Sequence, residues 1–106
     1  MNEWTTVAKV GDVTEGRGEA FPLEDKIVAV FLVEGKYYAI NDMCPHMGAS
    51  LAEGEVCDCI VACPWHHWRF RIDDGTWCDN PRIRTDAYDV RIVDDQIQVK
   101  QRGEKE

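Results

Sequence analysis

Cys44-Pro45-His46 and Cys63-Pro64-Trp65-His66, separated by sixteen residues, constrain this chain more than any other feature. Each short segment supplies one thiol and one imidazole. Together they make a set of two Cys and two His. Such a set binds zinc tetrahedrally, or a [2Fe–2S] cluster in which two histidines replace two cysteines on one iron. The order along the chain bears on the choice. Zinc fingers with these donors pair Cys with Cys and His with His. Here each segment mixes the two types. That suits a binuclear centre, with each segment sending its Cys to one iron and its His to the other.

The remaining composition sets bounds. A length of 106 residues suits one domain. Twelve Lys and Arg against 20 Asp and Glu give a net charge of -8. That argues against non-specific nucleic-acid binding, which needs cationic charge. It fits a partner with a basic face, and equally a plain solvated acidic surface. No apolar run approaches the ~20 residues that span a bilayer. The N-terminus has neither a basic nor an apolar leader segment, so a cytoplasmic location is the expectation. The five cysteines are Cys44, Cys57, Cys59, Cys63 and Cys78. In a reducing compartment they suggest metal ligation plus ordinary buried thiols, not a disulfide framework.

Strand patterns dominate. Ile27–Val33 and Lys36–Ile40 flank Glu34-Gly35 and read as a hairpin. Tyr88, Val90 and Ile92 alternate with polar residues, Asp94-Asp95 turns, and Ile97 and Val99 alternate on the way back. Arg69–Ile72, an Asp-Gly turn and Trp77 read as a third hairpin. Trp4–Val10 reads as a strand, Cys59 opens an apolar strand through Ala62, and Ala49–Glu53 holds a helical turn at most. One domain over 1–106 is expected: a base from 1–41 and 84–101, an insert over 42–83 holding every Cys and His, and a polar tail over 102–106.

With those residues in view, the chain resembles the Rieske iron–sulfur family, whose signature is Cys-x-His, a gap of this length, and Cys-x-x-His. Pro45, Gly48, Leu51, Pro64 and Trp68 also match the family pattern. The resemblance implies an all-β fold: a Rieske-like antiparallel β-sandwich base with an inserted cluster-binding subdomain. It implies one [2Fe–2S] cluster, with Cys44 and Cys63 on one iron and His46 and His66 on the other. Two ferric ions, two sulfides, two thiolates and two neutral imidazoles sum to zero charge. An electron therefore enters more easily than in a four-thiolate cluster. Reduction should tighten the hold of the imidazoles on their protons, coupling electron transfer to pH. Rieske proteins of respiratory complexes carry a disulfide between their loops. The matching positions here are Ala49 and Trp65. Those proteins also place a Ser and a Tyr hydroxyl near the cluster, where this chain has Trp68 and Phe70. Without those hydrogen bonds the expected potential is low in the Rieske range, ~-150 mV. Pro81 is expected to stiffen a third loop against the cluster. Trp65, Trp68, Phe70 and Trp77 are expected to pack around the cluster loops.

The same resemblance implies a soluble one-electron carrier without stand-alone catalysis or catalytic residues. Its partners would be a flavin-dependent NAD(P)H reductase and a terminal oxygenase, or the large subunit of a nitrite reductase. No nucleic acid and no membrane are expected. Leu51-Ala52-Glu53-Gly54 and the Cys-Pro-x-His-x-Trp run at 63–68 lean toward the nitrite reductase small subunit group. Two other classes stay open. One is a zinc-bound interaction module using the same four donors. The other is a cluster-bearing redox sensor in which Cys57, Cys59 or Cys78 reports oxidation. His67, outside the motif spacing, reads as a surface histidine or as one whose protonation tunes docking.

Overall fold

The run Ile27–Val33 is apolar at every position, where a strand with one wet face would alternate. The reason is burial on both faces. In the computed structural model, which describes residues 4–23, 26–44, 49–64 and 68–101, this run lies in strand β3 (Lys26–Val33). Val28 and Val30 point into one core with Ala8, Val13, Ala39, Tyr88, Ile97 and Val99. Ala29 and Phe31 point into a second core with Ile40, Cys44, Leu51, Val61, Cys63, Phe70 and Ile72. The neighbouring β4 (Lys36–Asn41) is divided the same way, with Ala39 in one core and Ile40 in the other. These two strands are the wall shared by both cores.

Two antiparallel sheets share the described chain. The first contains β1 (Thr5–Lys9), β2 (Arg17–Leu23), β3, β4, β10 (Ala87–Val93) and β11 (Gln96–Gln101), in the order β1-β11-β10-β4-β3-β2. Its outermost strands, β1 and β2, come into contact, so the sheet curls around the first core. The second contains β5 (Glu55–Cys57), β6 (Ile60–Ala62), β7 (Arg69–Arg71), β8 (Thr76–Trp77) and β9 (Asn80–Arg84), in chain order. A single 3₁₀ turn, Leu51–Glu53, joins them, in keeping with the helical turn expected there. Among the described residues no helix is long and apolar enough to cross a membrane. The expected tail, 102–106, lies outside the described residues.

All three expected hairpins form. In two of them a two-residue turn has both central residues at positive φ: Glu34 (52°) with Gly35 (79°), and Asp94 (50°) with Asp95 (67°). Such mirror-image turns match the twist of the flanking strands. The Glu15 carboxylate secures the first turn, accepting the Glu34 N–H at 2.6 Å and the Gly35 N–H at 3.0 Å.

Several details differ from the sequence reading. The first strand is shorter, Thr5–Lys9. Strand β2 was not expected, because Gly18 and Pro22 interrupt its pattern; as an edge strand it tolerates both. Cys59 sits in the turn before β6, which starts at Ile60. Pro81 is an exposed residue inside edge strand β9 and not in a loop.

Thermal or urea unfolding checks the turn chemistry. Glu15→Ala removes an acceptor for two amides and should lower stability by about 1 kcal/mol. Asp95→Gly creates an Asp-Gly pair suited to the turn and should raise stability by roughly 0.5 kcal/mol.

Candidate metal centre

The first Cys/His segment follows directly from β4. Asp42 leaves the sheet, and its N–H still donates to the Ile27 carbonyl at 2.9 Å. The chain returns at Ser50, which bridges to Met43, and Leu51 donates its N–H to the Asp42 carbonyl at 2.7 Å. Inside that neck, the Cys44 N–H donates to the Ala49 carbonyl at 2.9 Å. The Asp42 side chain is turned inward. Its Oδ1 accepts the Ser50 hydroxyl and the Ala52 N–H, both at 2.9 Å. Burial of a carboxylate is costly unless donors meet it, and here two do.

The second segment is closed by the same device. Cys63 follows β6, and its N–H donates to the Trp68 carbonyl at 2.6 Å. Each bond links a Cys to the residue five positions on, 44 to 49 and 63 to 68. Trp68 is held in turn by Trp77 of β8: the rings are stacked with centroids 3.7 Å apart and planes 4° from parallel. Phe70 lies beneath, fully buried, with its ring centroid 6.4 Å from that of Trp68. The aromatics Trp68, Phe70 and Trp77 thus pack at the second segment, as expected; Trp65 lies outside the described residues.

Both cysteines open from one dry floor. Cys44 and Cys63 are buried in a single cluster with Phe31, Ile40, Leu51, Val61 and Phe70. Gly54 brings the two segments near each other. A Cβ there would collide with the Ala62 carbonyl oxygen, so only glycine lets the 3₁₀ turn lie against β6. His46 and His66, and with them His67, lie outside the described residues. Among the described residues, no three His, Cys, Asp or Glu side chains group as metal donors. The donor chemistry still fits a [2Fe–2S] cluster. Two thiols start from a water-excluding floor, and each sits at the beginning of a closed turn whose sequence also contains one motif histidine.

The other cysteines are placed elsewhere, and none of the five forms a disulfide. Cys57 is exposed at the end of β5. Cys59 is half-buried against Tyr38 and lines a cavity of about 310 Å³ with Val33, Glu34, Lys36 and Asp58. Burial, then the nearby Asp73 charge, pushes the Cys59 thiol up; hydrogen bonds from the Tyr38 hydroxyl and the Asp73 backbone oppose this. Burial, then the Cys59 thiol, pushes the Tyr38 phenol up as well. A thiol raised in this way is a poor nucleophile. Asp42 escaped the sequence reading, and of Trp68 and Trp77 only the packing is expected there, not their face-to-face stack. An Asp two residues before the motif, and a Trp in a two-residue strand, have no spacing that marks them.

Comparison with known proteins identifies the family. The profile of the Rieske [2Fe-2S] domain matches residues 3–100. The chain belongs to the Rieske [2Fe–2S] family. As a Rieske domain it takes one [2Fe–2S] cluster. It is 34% identical over 100 residues to the anthranilate 1,2-dioxygenase ferredoxin subunit of Burkholderia cepacia, covering 93% of each chain. The ferredoxin of carbazole 1,9a-dioxygenase from Nocardioides aromaticivorans superposes with a TM-score of 0.84 at 27% identity, over 93% of this chain and 98% of that one. A Mycobacterium tuberculosis structure assigned as an NADH-dependent nitrite reductase small subunit gives 0.85 at 30% identity, over 99% of both chains.

Two measurements check this Rieske domain's packing. In iodoacetamide labelling at pH 8 followed by peptide mapping, Cys57 should react first and Cys59 well behind it, with Cys44 and Cys63 protected until unfolding. The Cys59 rate should rise only at a pH above that of an ordinary thiol, since its raised pKa delays thiolate formation. Trp77→Ala removes one face of the indole stack and should cost about 2 kcal/mol in chemical unfolding.

Proposed function

We propose that this protein is a one-electron carrier whose [2Fe–2S] cluster is held by Cys44, His46, Cys63 and His66. The observation that carries the reading is the match of nearly the whole chain to a ferredoxin subunit, 93% of each chain at 34% identity. The chain shows no Gly-rich nucleotide fingerprint, so the electron must come from one partner and go to another. When bound, the cluster supplies a centre that accepts and releases a single electron.

The chain's own residues supply the setting. Cys44 and Cys63 anchor the ligand set in the buried floor. Their main-chain bonds to Ala49 and Trp68 fix where each segment begins and ends. Phe70 and the stacked Trp68 and Trp77 exclude water from the side of Cys63. Phe70 is fully buried and has no hydroxyl to donate, which supports a potential low in the Rieske range, ~-150 mV. We assign the protein first to an oxygenase system, between a flavin-dependent NAD(P)H reductase and a terminal oxygenase. A second reading, the small subunit of a nitrite reductase, is supported by the 30% identity and 0.85 TM-score with the Mycobacterium tuberculosis structure.

Visible and EPR spectra before and after dithionite test the carrier. A red-brown protein that bleaches and gains a rhombic signal supports it; a colourless protein with stoichiometric zinc overturns it. Cys44→Ser, Cys63→Ser, His46→Ala and His66→Ala should each lose the colour and the signal while far-UV circular dichroism keeps its β-sheet character. Fast reduction by a flavin reductase, read by stopped flow, selects the oxygenase assignment. Copurification with a sirohaem protein selects the nitrite reductase reading.

A further inference from the structure

Asp42 does more than its place before a motif requires. It is buried, at 7% exposure, and only Thr85 shares that status among the described polar residues. Four hydrogen bonds hold it, three of them across the neck of the first segment. Its N–H reaches Ile27, its carbonyl receives Leu51, and its Oδ1 receives both Ser50 and Ala52. Ser50 and Leu51 lie just past the segment that Cys44 opens, so the carboxylate grips the returning end of that turn.

The grip uses a single oxygen. An asparagine could offer the same Oδ1 to the same two donors. What aspartate adds is charge, and its hydrogen-bond partners among the described residues, Ser50 and Ala52, are neutral. The basic group lining the neighbouring cavity of about 350 Å³, Lys26, is paired with Asp86 at 3.8 Å. A negative charge two residues from Cys44 is weakened by the medium between them but not abolished. It opposes the arrival of another negative charge, and environment of this kind tunes metal centres.

We propose that Asp42 is the positioning residue of the Cys44 segment and that its buried charge holds the reduction potential of this protein down. The inference rests on the ligand assignment above. It separates into geometry and charge, and each has its own variant.

The test uses the cluster-loaded protein in spectroelectrochemical titration with EPR. Asp42→Asn keeps the acceptor and removes the charge. At a fixed poise its reduced-to-oxidised ratio should rise about threefold, which at 59 mV per decade for one electron is about 28 mV. Its EPR line shape should remain that of the parent. Glu19→Gln, an exposed carboxylate on β2, should leave the ratio unchanged and controls for bulk charge. Asp42→Ala removes both Oδ1 bonds and Ser50→Ala removes one of them; each should broaden the EPR signal and speed loss of iron to a chelator, at least threefold for Asp42→Ala. An Asp42→Asn ratio equal to the parent's overturns the charge role. Parental line shape and iron retention in Ser50→Ala and Asp42→Ala overturn the positioning role; should Asp42→Ala fail to fold, Ser50→Ala decides it alone. A parent protein without a reducible cluster overturns the ligand assignment, and this inference falls with it.

Discussion

Two main-chain hydrogen bonds, Cys44 N–H to Ala49 and Cys63 N–H to Trp68, hold the rest of the site in place. A cysteine in an open loop carries its sulfur wherever the loop goes. Here each cysteine is fixed at the backbone, because the residue five positions on closes back onto its amide. The side chains then start from a floor that is itself rigid, since well-packed cores allow little displacement. Around this pair the two sheets take complementary roles. The first sheet contributes Ala29, Phe31 and Ile40 to this core, and the second contributes Val61 and Phe70, with Ile72 from the turn after β7.

The division of β3 and β4 between two cores explains how a chain of this size can hold such a site. Every residue of Val28–Phe31 is fully buried, alternately into one core and the other. The curled first sheet is stabilised by its own core. The second core can then accept two cysteines among its apolar residues, where a single-core protein would sacrifice packing for them.

Much of this was legible in the sequence, and the parts that were not share a cause. The hairpins were readable because strong strand runs flank turns with unambiguous chemistry, Glu34-Gly35 and Asp94-Asp95. The family was readable because the order of Cys and His is itself chemical information. Strand β2 was hidden by Gly18 and Pro22, and β5 is only three residues long. Gly18 is there because a Cβ would press on the Phe31 ring, a contact between strands that no local pattern announces. Pro81 suggested a loop, yet an edge strand has no inner partner for the missing N–H. Asp42 and Gly54, and the stacking partner of Trp77, depend on what meets across the fold. Their partners are Ser50 and Ala52, the Ala62 carbonyl, and the Trp68 ring.

The two segments are secured by unlike means. A carboxylate at the end of β4 grips the first, and a tryptophan in β8 stacks on the second. The anchors lie in different parts of the chain, Asp42 just past β4 and Trp77 in β8, and both reach residues of the same core. In evolutionary terms the protein is modular on one side of its centre. The polar hinge can be exchanged while the aromatic clasp is left intact, whereas a change in the clasp would also alter the dry packing beside Cys63.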